Sequence, residues 1–125
     1  MPQSEQQSPE AQIVEELLDT LEAFQYPVYR QGSMSDEEEY PETFFTFWNN
    51  DTPDHSFYDN ESYGMEAYYS IYVYSSDPEK VYSLLSQARK DLKEKGWIAQ
   101  GRGFDAASDR ETHTGRGLNV IYMKF

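Results

Sequence analysis

Apolar residues recur at helical spacing in two stretches of this chain. The first is Ile13, Val14, Leu17, Leu18, Leu21 and Phe24. Glu15, Glu16, Asp19 and Glu22 fall mostly on its other face. Ser8 is placed to cap this helix, Pro9 suits its first position and Glu10 complements the positive helix end. Tyr26-Pro27 is expected to end it, because the residue before proline avoids the helical region. The second stretch is Val81, Leu84, Leu85, Ala88 and Leu92, with Asp77-Pro78 as its start and Gly96 as its stop. Lys90, Lys93 and Lys95 lie near its C-terminal end, where cations are favoured.

Alternation and β-branched or aromatic runs mark the strands. Val28-Tyr29-Arg30 predicts a short one and Thr43 to Trp48 a buried one. In Ala67 to Tyr74, Tyr69, Ile71 and Val73 share one face, and Tyr68, Ser70, Tyr72 and Tyr74 share the other. The first set reads as core. The tyrosine set is amphipathic and suits a contact between subunits. Trp97-Ile98-Ala99 opens a further strand, and Leu118 to Phe125 forms the last. Polar stretches at 31–42, 49–64 and 101–115 are expected as loops. The order predicts one α+β domain over residues 9–125 behind a disordered leader at 1–8. Its fold would be a single-layer, mixed or mostly antiparallel sheet of about four to five strands covered by two helices.

Composition narrows the function classes. A chain of 125 residues can bury a core without staples, and the absence of cysteine excludes disulfides and cysteine metal sites. No apolar run approaches the ~18 residues of a membrane span, and the N-terminus lacks the pattern of a signal peptide. The net charge is −13. Through Met65 there are fifteen acidic residues against the one base Arg30, so that half stands at −14; the remainder stands at +1. An acidic surface repels phosphate backbones and disfavours ordinary nucleic-acid binding. Two unlike faces suit head-to-tail association, which closes into rings.

Candidate chemistry is sparse. Asp51, Asp54, His55 and Asp59 offer oxygen and imidazole ligands but miss the alternate spacing and central glycine of a calcium loop, so no metal is expected. His55 and His113 sit in polar stretches without a nucleophile motif, and no catalytic residue is assigned. Gly101-Arg102-Gly103 and Gly115-Arg116-Gly117 lack the lysine and setting of a phosphate loop and read as flexible hairpin connections. Phe44, Phe45, Phe47 and Trp48 lack the basic groove that base stacking requires and read as core. No cofactor and no enzymatic activity are expected.

Several segments taken in order carry a resemblance. They are Pro27-Val28-Tyr29, Thr43 to Trp48, Tyr69 to Ser75, Asp77-Pro78-Glu79-Lys80-Val81 with the helix ending at Lys95-Gly96-Trp97, and the terminal aromatic strand. The chain resembles the small tail-completion proteins of long-tailed bacteriophages and prophages, which terminate the tail tube or join tail to head. The resemblance implies a structural protein without catalytic residues that assembles as a ring, commonly a hexamer. Its implied partners are further copies of itself and tail-tube or neck proteins. Its implied location is the virion tail or neck, and the bacterial cytoplasm during assembly. The contact residues expected on this basis are Tyr68, Tyr72 and Tyr74 and the acidic run Asp36, Glu37, Glu38 and Glu39. Acidic loops lining a ring would keep passing DNA from sticking. The alternative is an acidic DNA mimic that occupies the basic groove of a nucleic-acid enzyme.

Overall fold

The structure, a computed structural model, describes residues 8–30, 41–56 and 63–124. The expected leader and the acidic run Asp36–Glu39 lie outside those residues, apart from Ser8. Helix α1 spans Pro9–Glu22, and the Ser8 Oγ accepts the Ala11 N–H at 3.1 Å, as the capping pattern requires. It ends before Tyr26-Pro27. Gln25 adopts a left-handed φ of 69° and turns the chain into strand β1, Val28–Arg30.

Strand β2 runs Thr43–Asp51, β3 Asp54–Ser56 and β4 Tyr63–Ser75. The expected loop over 49–64 is thus corrected at 49–51, 54–56 and 63–64, while its residues 57–62 lie outside the described residues. Polar Asn49 and Asn50 continue β2, a bulge falls between Asn49 and Asp51, and β3 extends the pairing with β4. Asn49 Nδ2 donates to Thr52 Oγ1 at 3.1 Å and to the Tyr68 carbonyl at 3.4 Å, which ties the bulge to β4. Helix α2 spans Pro78–Glu94; Asp77 Oδ1 accepts the Glu79 N–H at 3.0 Å. Gly96 takes the left-handed stop at φ 96°.

Strands β5, Ile98–Ala106, and β6, Thr114–Lys124, shorten the expected loop over 101–115 to residues 107–113. Gly115 and Gly117 sit inside β6, while Gly101 and Gly103 lie in the irregular stretch of β5 between Gln100 and Phe104. Neither glycine pair is a hairpin connection.

The sheet order is β1-β2-β4-β6-β5, with β3 also on β4. Only β1 with β2 is parallel; the other pairings are antiparallel. Chain order β4-α2-β5 forms a crossover whose two strands are separated by β6, which is therefore interior. The fold is the expected α+β architecture, a mixed sheet with two helices. Both helices lie on one face. Ile13, Leu17 and Leu21 of α1 and Val81, Leu85, Ala88 and Leu92 of α2 share one core with Phe45, Phe47, Tyr69, Ile71, Val73, Leu118 and Val120. Each helix presents its apolar stripe because water rejects that stripe.

Polar bonds clamp the helix pair at one end. Trp97 Nε1 donates to Glu16 Oε1 at 2.8 Å, and Lys95 Nζ donates to Thr20 Oγ1 at 2.7 Å. The Thr20 hydroxyl donates in turn to the Glu16 carbonyl at 2.8 Å. Among the described residues no helix is long and apolar enough to cross a membrane.

Candidate interaction face and cleft

With both helices on one side, the residues alternating out of phase with the core project from the other. Register places them in transverse rows. Phe44, Tyr74, Gly115 and Ala106 form one row; Tyr29, Thr46, Tyr72, Gly117 and Phe104 the next. Then come Trp48, Ser70, Asn119 and Gln100, followed by Asp51, Tyr68, Ile121 and Ile98. Glu66 and Met123 extend the face. Among the described residues at these positions Asp51 and Glu66, both at one end, carry a charge, in a chain that is 26% charged. Trp48, Ile98 and Phe104 are exposed on this face at 48, 49 and 39%.

The aromatic rows are ordered by glycine. A Cβ at Gly117 would stand 2.6 Å from Tyr72 Cε1 and 2.8 Å from Phe104 Cε1. A Cβ at Gly115 would stand 2.6 Å from Tyr74 Cε1. The rings of Tyr72 and Tyr74 therefore lie across β6 rather than standing up from β4. They stack on each other at 6.3 Å, and Phe104 meets Tyr72 edge-on at 6.1 Å. Phe44 is buried on this face. It stacks on Tyr74 at 5.2 Å and meets Tyr29 edge-on at 5.9 Å, with the His113 ring at 6.4 Å. Sequence assigned Phe44 to the core with Phe45 and Phe47; the structure places it in this second, smaller cluster, and leaves Trp48 half-exposed. His113 is half-buried. Its Nε2 donates to the Pro41 carbonyl at 2.8 Å, and its Nδ1 is hydrogen-bonded with the Thr112 hydroxyl at 2.8 Å.

Of the three tyrosines expected at a contact, Tyr72 and Tyr74 share one cluster. Tyr68 stands apart, on the far side of the Ser70 row. Its hydroxyl donates to Glu66. That bond, with the nearby charges of Glu66 and Asp51, raises the Tyr68 phenol above its usual range. Tyr69, on the core side, is raised chiefly by burial, against the opposing influence of Arg30 and an Asn49 hydrogen bond.

The Ser70 row carries a polar network that no single segment of sequence announces. Asn50 Nδ2 donates to Ser70 Oγ at 2.9 Å, and Ser70 Oγ donates to Asn119 Oδ1 at 2.6 Å. Ser70 itself is buried. Beside this network lies an open cleft of about 380 Å³, lined by Asn50, Asp51, Tyr68, Gln100 and Asn119. Its residues come from β2, β4, β5 and β6, so only the sheet order brings them together.

Among the described residues no group of three or more His, Cys, Asp or Glu is placed to hold a metal ion. Of the four ligands weighed from sequence, Asp51 accepts the Thr52 N–H at 2.8 Å. Asp59 and the side chains of Asp54 and His55 lie outside the described residues. Comparison with protein-family models finds no match, and comparison with curated proteins finds no similar chain.

Proposed function

We propose that this chain works by assembly rather than catalysis, as a subunit that completes a phage or prophage tail by ending its tube or joining it to the head. The observation that carries the assembly reading is the sheet face that neither helix covers. It gathers Trp48, Tyr72, Tyr74 and Phe104, and among the described residues its charges are confined to Asp51 and Glu66 at one end, in a strongly acidic chain. Depletion of charge with enrichment of aromatic residues is the compositional mark of an interface core. The tail-specific part rests on the order of segments in the sequence. In this reading the aromatic face meets a neighbouring copy in the ring or a tail-tube or neck protein. No cofactor takes part. The acidic α1 surface, with Glu10, Glu15, Asp19 and Glu22 exposed, is left facing solvent.

The test is a tagged pull-down from cells in which a phage is assembling, with the bound chains identified by mass spectrometry. Recovery of tail-tube or connector subunits, lost in a Tyr72→Ser, Phe104→Ser variant that still melts cooperatively, is the expected outcome. Recovery of a basic nucleic-acid enzyme and no virion protein would replace this reading with the DNA mimic.

A further inference from the structure

The cleft beside Ser70 has a chemistry of its own, distinct from the aromatic rows. A serine hydroxyl donates once. Asn50 turns its NH₂ toward the Ser70 hydroxyl, and that hydroxyl donates to the Asn119 carbonyl oxygen. The pair thereby turns the Asn50 carbonyl oxygen and the Asn119 NH₂ group away from Ser70, as an acceptor and a donor for a ligand. Gln100, the register neighbour of Asn119, adds a second donor and acceptor at the cleft wall. Asp51 uses Oδ1 on the Thr52 amide, which leaves Oδ2 as a further acceptor.

This donor and acceptor set selects among ligand classes. Phosphates and carboxylates are repelled by Asp51 and by the neighbouring Glu66, and among the described residues no cation lines the cleft. A single carboxylate is too little for a divalent cation, which takes six or more oxygen ligands. Purely apolar ligands would strand the amides without partners, at a cost of roughly 1–3 kcal/mol for each group. What fits is a neutral molecule rich in groups that both donate and accept. Tyr68 in the wall adds aromatic surface for a C–H face, beside the apolar Pro53 and Val120. The cleft volume of about 380 Å³ lies at the low end of the ~300–1,000 Å³ usual for small-ligand sites.

We propose that the cleft formed by Asn50, Asp51, Tyr68, Gln100 and Asn119 binds a neutral saccharide. Sugar hydroxyls engage the Asn50–Asn119 pair, Gln100 and Asp51, and the sugar's C–H face lies against aromatic surface. The proposal is independent of the docking reading, whose aromatic cluster sits further along the same face.

The experiment is a titration of the full ¹⁵N-labelled chain with a panel of neutral mono- and disaccharides, including methyl glucosides, methyl galactosides, N-acetylglucosamine, maltose and lactose. The signals followed are the side-chain amides of Asn50, Asn119 and Gln100, read beside the indole N–H signals. Buried Trp97 serves as an internal control. Saturable shifts of these signals with at least one sugar, at a Kd of about 10 mM or tighter, are expected. Asn119→Ala should weaken that binding about five-fold or more, as loss of one or two hydrogen bonds implies. Gln100→Ala, at an exposed position of the cleft wall, should weaken it comparably and keeps the test open should the Asn119 variant fail to fold. The proposal is overturned by an absence of saturable shifts across the panel, or by shifts unchanged in both variants. It is also overturned if N-methylacetamide moves the same signals more strongly than any sugar, which would make the cleft a receptor for protein amides.

Discussion

Gly117 has no side chain, and the Tyr72 ring occupies the place where one would stand. The same holds for Gly115 and Tyr74. Gly117→Ala is expected to force the Tyr72 and Phe104 rings outward and to destabilise the fold by about 1–3 kcal/mol, measurable by urea denaturation. Tyr72→Ala in the Gly117→Ala background should recover part of that loss, since the clash is then removed; an additive double mutant would contradict the ring-over-glycine packing. A second expectation concerns Tyr69. Burial raises its phenol above the usual 10.0, so the folded state holds the proton more tightly than the unfolded chain does. The stability it contributes is fully present below the unfolded value and declines as pH rises from there through the folded value. Melting temperatures should therefore fall on alkaline titration from about pH 10 upward, and Tyr69→Phe should show a shallower fall than the parent chain.

Among the elements, α2 was the most legible, because Asp77, Pro78 and Gly96 each act within one or two residues of the helix end they define. The two faces of β4 were equally plain, since alternation is a local property and Tyr69, Ile71 and Val73 do enter the core. The strand extents were not. Asn49, Asn50 and Asp51 look like breakers along the chain, yet they extend β2 because β4 offers partners on one side and the bulge absorbs the irregularity. Gly115-Arg116-Gly117 looks like a hinge until β4 is laid beside it. The signal available was the matched spacing of Tyr72 and Tyr74 with Gly117 and Gly115. The cleft was illegible for a stronger reason: Asn50, Ser70, Gln100 and Asn119 belong to four different strands, and nothing local predicts their order. At this scale the helix ends can be tested directly. Ser8→Ala should lower stability by about 1 kcal/mol through loss of the α1 cap. Trp97→Phe should cost about 1–3 kcal/mol by removing the donor to Glu16 while keeping most of the buried ring. Both are read from equilibrium denaturation.

For the whole molecule, the division of labour between the two sheet faces is the main result. One face carries the hydrophobic core, including fully buried Leu17 and Leu85 at 0 and 1% exposure. Leu17→Ala is expected to cost about 2–5 kcal/mol through the cavity it leaves, with a matching drop in melting temperature. Neither helix covers the other face, so Phe104→Ser should lower melting less than Leu17→Ala does while weakening the proposed association. The net charge of −13 bears on assembly too. Association through a nearly uncharged face brings like-charged molecules together, so it should strengthen as salt rises, observable by sedimentation; a salt-bridged contact or a DNA mimic would weaken instead.

The interior position of β6 has a consequence for synthesis. Among the described elements it is the last to be made, yet it pairs with β4 along Met65 to Ser75 and with β5 on its other edge. Until residues 114–124 have left the ribosome, β5 has no partner in the sheet and α2 has only part of its floor. The earlier strands can pair as β1, β2 and β4, but the core under α2 cannot close. A nascent chain halted before β6 should thus remain sensitive to protease across α2, and protection should arrive in one step when β6 is released.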